Sequence, residues 1–552
     1  MKNLILSVLL VILSVTLTAQ TAREKGLSTI THSSIQGQLE FLASDWMEGR
    51  ATGSKGIFMA SDYIASMFKV FNVEPFGDEI TIMPTREEMR QGKRPETRKT
   101  YFQNIALVRY EQGMDQSLSV VTQSGPGKSA VDFTHKVDFQ VQTGTVSVSG
   151  NAPVFFAGYG LSEKDYDEFA KKDIKGKVVV ILAGFPGHRD STSAAFRKFK
   201  PEGGSNARLS PDRNKIRKAE EMGAAAVVLV NTSSNPALGW AVNNPYPVKG
   251  AYYESDTRLS SFYDKRITLP GDTLRSGIPV FMVTTRVANL IADGTGLDYS
   301  QYEKRAQETM QPASRDLTGK SLSWTSTVNS EIIKCRNVIG YIEGEKKDEF
   351  VVIGAHYDHL GKYDGWIWNG ADDNGSGTVG VMSMARAFAE TGKKPEKSII
   401  FAAWTGEEMG LHGSRYFVAN FPKNLKIAYN LNLDMLSRDA AGDTKGNQMS
   451  MMYQSWVPGL KELTEKNIRE FNINLDVAFS PSAQLSGGSD HAPFAAVGIP
   501  ATFFFAAMHP DYHQPSDELS KINWEKMLNM IRLGYLNIWE LANSDTYLKK
   551  SE

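Results

Sequence analysis

The spacing of apolar and polar positions changes character along the chain. In "GIFMASDYIASMFKVF" (56–71), Ala60, Tyr63, Ile64, Met67, Phe68 and Phe71 recur at intervals of three and four, which predicts helix within about 34–78. "NIALVRY" (104–110) predicts a strand. From about 132 to 290 the chain carries short β-like runs, "TVSVSG", "APVFFAGYG", "KVVVILAG" and "AAAVVLVN", separated by glycine-rich turns, with one helical piece, "NKIRKAEEMGA". That stretch predicts a separate β-rich module. A loosely polar segment at about 300–330 is expected to be a linker with some helix.

From Arg336 onward strands and helices alternate. Apolar runs predict strands in "NVIGYIEG", "EFVVIGA" (349–355), "SIIFAAW" (398–404), "IAYNLNLDM" (427–435) and "IPATFFF" (499–505). Helices are predicted over 376–391, 412–420, 457–470 and 523–543, the last with Trp524, Met527, Leu528, Ile531, Tyr535 and Ile538 on one face. Alternation of this kind argues for an α/β sandwich with a mixed, largely parallel central sheet.

Composition narrows the function classes. Of 552 residues, 61 are Lys or Arg and 62 are Asp or Glu, so no overall field draws the chain to nucleic acid or to an anionic membrane. The first 19 residues place Lys2 ahead of an apolar run from about Leu4 to Leu17, followed by Thr18 and Ala19. They predict a secretory signal peptide and export to a periplasmic or extracellular space, with no membrane anchor after cleavage. Cys335 is the only cysteine, which rules out an intrachain disulfide and leaves a packed thiol. Nothing in the composition fixes the oligomeric state.

In open α/β sheets, sites form beyond the carboxyl ends of the strands. Such positions here are rich in metal-ligand types. "FVVIGA" is followed by His356, Asp358 and His359, "SIIFAAW" by Glu407 and Glu408, and "IAYNLNL" by Asp434. "IPATFFF" is followed by His509, Asp511, Tyr512, His513 and Asp517, and Asp372 and Asp373 open the helix from 376. A lone strand-end histidine is more often structural, and "DDNGSG" alone is a good helix cap. Their convergence on one sheet edge is what implies a site. Two histidines with several carboxylates suit zinc or a pair of borderline divalent ions, and the set is richer than one tetrahedral zinc needs.

"GAHYDHLG", "GADDNGSG", "WTGEEMGLHGS", "LNLDM", "SGGSDHAPF" and "YHQPSDE", in that order, resemble the secreted co-catalytic zinc aminopeptidases, whose superfamily includes glutamate carboxypeptidase and glutaminyl cyclase. "LEFLASDWMEGRATGSKG" (39–56) resembles the family's N-terminal helical segment, and the β-rich block resembles an inserted protease-associated domain. The resemblance implies a three-layer zinc-exopeptidase sandwich: a signal peptide at 1–19, an N-terminal part of the peptidase domain at 20–130, the insert at 131–300 and the catalytic core at 301–552. It implies two zinc ions per chain, with His356 and Asp434 on one, Glu408 and His513 on the other, and Asp373 bridging them. Glu407 would be the general acid/base, Tyr512 would polarise the scissile carbonyl, and Asp358 would orient the His356 imidazole. Asp517 is expected to do the same for His513, and His359 and His412 to be satisfied by nearby backbone. Ser489, Asp490 and His491 line the pocket or cap their loop.

The implied activity is removal of the N-terminal residue from a peptide substrate. Carboxypeptidase or dipeptidase action on the same metals is the alternative. Glutaminyl cyclisation fits less well, because that enzyme type works with one zinc and lacks the insert. A non-catalytic binding protein would be expected to have lost some of these ligands.

Overall fold

The computed structural model describes residues 21–163, 165–200, 212–232, 265–272, 277–363 and 365–549. The expected signal peptide lies outside them. Among the described residues, no helix is long and apolar enough to cross a membrane. The chain divides into two units, Met1–Ile105 with Lys334–Glu552, and Ala106–Ile333.

After a short helix at Ala22–Ser28, the first unit contains α1 (His32–Leu42) and α2 (Lys55–Val70). Ser54 caps α2 by accepting from the Ile57 amide, and the face formed by Ile57, Ala60, Ile64 and Phe68 is buried. The chain returns to this unit through β1 (Arg315–Ile342), which runs across the boundary. Then follow β2 (Lys346–His356), α3 (Gly377–Glu390), β3 (Lys397–Trp404), α4 (His412–Asn420), β4 (Lys426–Leu433) and β5 (Gln448–Gln454). The last elements are α5 (Gly459–Phe471), β6 (Asp476–Ser482), α6 (His491–Ala496), β7 (Ala501–Phe505) and α7 (Trp524–Asn543).

The strand order is β6-β5-β7-β4-β2-β3-β1. The four central strands β7, β4, β2 and β3 are mutually parallel, while β1 and β5 pair antiparallel with β3 and β7. Side-chain alternation along β2 and β3 builds two cores. Val351, Ile353, Ala355, Ile399, Phe401 and Ala403 face a core shared with α1, α2, α3 and α7. Phe350, Val352, Ile400, Ala402 and Trp404 face a second core shared with α4 and α6. Helix, sheet and helix thus form the expected three-layer sandwich.

In the Ala106–Ile333 unit, Val148–Phe156, Val178–Leu182, Ala226–Val230 and Val280–Val283 run parallel in that order, flanked by antiparallel Phe139–Val141 and by the N-terminal part of β1. The unit extends past 131–300 at both ends, and 300–330 is not a linker. Tyr299–Thr309 is helical and 315 onward is strand. Leu322, Trp324 and Ser326 are buried while Ser323 and Thr325 between them are partly exposed. In a strand with one buried face this alternation suffices, however polar the outer positions are. Gln448–Gln454 and Asp476–Ser482 are also strands that apolar content does not announce. The latter lies at the sheet edge and contains Pro481, which only an edge strand tolerates well.

Candidate active site

The parallel strands all end at one edge, and the turns beyond it carry the candidate residues. His356 ends β2, Glu407 and Glu408 follow β3, Asp434 follows β4, and the segment with His509 and His513 follows β7. Asp372 and Asp373 lie in the turn Ala371–Ser376 that leads into α3, and the Asp373–Asn374 peptide is cis.

Specific side chains hold these turns together. Asn337 accepts from the Thr405 amide (3.1 Å) and donates to the Gly413 carbonyl (2.9 Å), clamping the loop that carries the two glutamates. Asn374 donates to the Leu433 carbonyl (2.9 Å) and accepts from the Gly377 and Met435 amides, which ties the Asp373 turn to Asp434. Arg50, 1% exposed, donates to the carbonyls of Tyr357 (2.8 Å), Leu42 (2.6 Å), Asn369 (2.6 Å) and Gly370 (2.9 Å). Its guanidinium is thus shared between the His356 turn and the Asp373 turn. Burial pulls it down to about 10, and Asp517 and Asp373 act against the fall.

The side chains converge in two clusters that share one carboxylate. In the first, His356 Nε2 lies 3.4 Å from Asp373 Oδ1 and 3.5 Å from Asp434 Oδ1, with Glu407 Oε2 at 3.8 Å. In the second, His513 Nε2 lies 3.2 Å from Asp373 Oδ2 and 3.0 Å from Glu408 Oε2. The other oxygen of Asp434 accepts from Ser489 Oγ (2.6 Å), which itself accepts from Asn432 (2.8 Å).

The donor set fits divalent metal. Asp373 Oδ2, Asp434 Oδ1 and His513 Nε2 are buried without a hydrogen bond. Unpaired buried polar atoms are costly, and here they point at common centres. His356, Asp373 and Asp434 offer ligand atoms within 4.8 Å of one another. The electrostatics agree. Burial alone would lower His356, but Glu407 and Asp434 outweigh it and hold the imidazole well above its ordinary value. A site that retains a proton on an imidazole this strongly has carboxylate charge to spare for a cation.

The paired glutamates differ in environment. Burial pushes the Glu407 carboxyl well up, against the pull of His356 and with the help of Glu408. Burial also opposes ionisation of Glu408, but the His513 charge and the bond from His359 hold that carboxyl well below the usual range.

Three expected contacts are corrected. The His356 Nδ1 partner is the backbone carbonyl of Asp358 (3.1 Å), and the Asp358 carboxylate is 3.8 Å away. β2 ends at His356, so the alternation that would aim residue 358 alongside is lost. The Asp358 carboxylate instead accepts from Thr52 Oγ1 (2.9 Å) and the Glu407 amide (3.1 Å). Asp517 does not meet His513. It accepts from the amides of Asp372 and Asp373 (3.0–3.1 Å), capping the turn. His359 is held by Glu408 Oε1 at 2.7 Å, and its ring finds no backbone partner among the described residues.

Tyr512 stacks its half-buried ring on His513, with centroids 3.8 Å apart. His513 itself is left-handed (φ 56°), an unusual conformation for a non-glycine residue and one that tight functional turns commonly hold. Asp490 accepts from Ser414, and burial pushes its carboxyl up to about 7. His491 stacks on Phe503.

Fold and site together define an α/β sandwich with a clustered set of metal-ligand side chains at its strand ends. Within that class, residues 337–535 match the model of Peptidase family M28. A Glutamate carboxypeptidase 2 homolog of Caenorhabditis elegans is 26% identical over 344 residues, 53% of this chain and 43% of that protein. Aminopeptidase YwaD of Bacillus subtilis (strain 168) is 29% identical over 252 residues, 43% of this chain and 50% of its own. The chain thus spans half or less of the length of these curated relatives. An aminopeptidase from Aneurinibacillus sp. strain AM-1 shares the fold, with a TM-score of 0.56 at 18% identity over 94% of this chain and 96% of that one.

Proposed function

We propose that the protein is a zinc-dependent aminopeptidase that binds two ions per chain and acts on peptides outside the cytoplasm, after removal of residues 1–19. The carrying observation is that the two oxygens of Asp373 face two separate histidine–carboxylate clusters (3.4 and 3.2 Å) with Glu407 beside the first. His356 and Asp434 would hold one zinc, Glu408 and His513 the other, and Asp373 both. Two zinc ions in those positions would acidify a shared water and polarise the scissile carbonyl.

The chain's own groups supply the remainder. Glu407, whose carboxyl is pushed upward by burial, is suited to accept a proton from the nucleophile and to deliver it to the departing amine. Tyr512 would donate its hydroxyl to the developing oxyanion, an interaction commonly worth about 3 kcal/mol. Asp490 and Asp434 add to the upward push on Glu407, while the Arg50 guanidinium is engaged with backbone carbonyls and that of Arg438 with Asp511 at 2.6 Å. The Ala106–Ile333 unit would be a protease-associated domain inserted into the peptidase domain.

The relative named as a glutamate carboxypeptidase homolog keeps carboxypeptidase action as the second reading. Hydrolysis of one peptide in free-amine and N-acetylated forms, with and without chelator, tests both. Chelator-sensitive cleavage of the free-amine form alone is expected. Equal cleavage of the two forms would remove the aminopeptidase reading.

A further inference from the structure

Each cluster has a histidine of its own, and His359, which with Asp373 and Glu408 also offers ligand atoms within 4.8 Å of one another, has its ring fully buried against the second. Its Nδ1 lies 2.7 Å from Glu408 Oε1 and 3.9 Å from Asp373 Oδ2. The ring is fixed from several sides. The His359 amide donates to the Arg50 carbonyl (3.2 Å), and Ala51 pairs with it as an isolated bridge. Gly370 packs so closely that a Cβ there would meet His359 Cδ2 at 2.5 Å. The imidazole therefore has one seat, and from it Nδ1 addresses Glu408.

We infer that His359 is a positioning residue that fixes Glu408 as a one-oxygen ligand. An ionised carboxylate only accepts hydrogen bonds, so the nitrogen facing it carries the proton. A nitrogen holding a proton cannot coordinate a metal, and Nδ1 is the ring atom aimed at the cluster. His359 thereby occupies Oε1, and Oε2, 3.0 Å from His513 Nε2, is left to face the second cluster. Ser489 stands in the same relation to Asp434, taking Oδ2 and leaving Oδ1. The terminal carboxylate of each cluster thus has one oxygen held by a side-chain donor and one presented inward. Donors behind a ligand carboxylate usually change metal affinity about 10–100-fold.

The inference rests on the two-zinc reading, and one titration separates their failures. Full-length protein stripped with chelator is titrated with zinc against a chromophoric competitor, as wild type, His359→Ala and His359→Asn. Asparagine places an amide N–H where Nδ1–H sits but is a poor zinc ligand, so it is the informative variant if alanine disturbs folding. Wild type should take up two equivalents, and His359→Ala should weaken one of them about 10–100-fold and leave the other unchanged. His359→Asn should recover most of the loss. Unaltered binding by His359→Ala would overturn the inference, and so would His359→Asn failing as badly as alanine, since the ring would then be a ligand. A wild type that takes up no zinc would remove the metal reading and this inference together.

Discussion

The backbone amide of Glu407 donates to Asp358 Oδ1 across 3.1 Å. The same carboxylate accepts from Thr52, and the neighbouring Asp358 carbonyl, not its side chain, holds His356. Truncating the Asp358 side chain therefore loosens the turn under Glu407 while sparing the imidazole. Asp358→Ala should lower kcat about 10–100-fold, an effect of mispositioning, with zinc content close to wild type. Zinc loss in step with activity would mean that the carboxylate acts on His356 after all.

Glu407 and Glu408 are adjacent in sequence and opposite in role. Glu408 meets two histidines, at 2.7 and 3.0 Å, while Glu407 approaches only His356, at 3.8 Å. Glu407→Gln keeps shape and volume but cannot carry the proton. It should retain both metals and lose about 10²–10⁴ in kcat, the usual worth of a general acid/base. Glu408→Ala should lose one equivalent of zinc. Equal metal loss in the two variants, read by elemental analysis, would show that the roles are not divided.

Arg50 is the residue on which the two ligand turns depend. Its guanidinium satisfies carbonyls from Leu42, Tyr357, Asn369 and Gly370, and each buried carbonyl left unpaired costs about 1–3 kcal/mol. Arg50→Met should therefore destabilise the Met1–Ile105/Lys334–Glu552 unit by several kcal/mol. Arg50→Lys, which keeps the charge but lacks the planar fork, should fall between. Urea unfolding followed by tryptophan fluorescence checks the order. A lysine variant as stable as wild type would show that charge alone matters.

The cluster positions other than Asp373, which opens a helix, were legible because each follows an apolar run, and strand ends in such a sheet share an edge. What lay beyond them was set by how strands end. The Asp358 contact could not be inferred because β2 stops at His356, and period-two reasoning stops with it. Arg50 acts on backbone carbonyls 307–320 residues away, Thr52 on the Asp358 carboxylate 306 residues away and Asn337 on the Thr405 amide 68 residues away, and no periodicity encodes such contacts. The "EGR" of the N-terminal segment was visible, but its chemistry was not. In the Ala106–Ile333 unit the strands at 178–182 and 226–230 were plain from valine runs. The strand from 315 was hidden by serine and threonine on its outer face.

That second unit carries its own titratable centre. Glu168 is fully buried and accepts from the Gly160 amide (2.7 Å) and from the hydroxyls of Tyr166 (3.0 Å) and Tyr302. Burial outweighs these bonds and pushes its carboxyl up to about 7, from an ordinary value of 4.5. The folded unit therefore keeps a proton that the unfolded chain releases. Its contribution to stability is complete below about 4.5 and is lost as pH rises through about 7, a change of roughly 3 kcal/mol. Glu168→Gln stays neutral throughout, and its amide can face the tyrosine hydroxyls while its oxygen keeps the Gly160 bond. Thermal unfolding of the wild type should thus show this unit weaker at pH 8.5 than at pH 5.5. Glu168→Gln should abolish most of that difference and be the more stable form at the higher pH. A wild-type unit that strengthens between the two values, or a variant that keeps the full pH slope, would show that Glu168 is ionised in the folded protein at both.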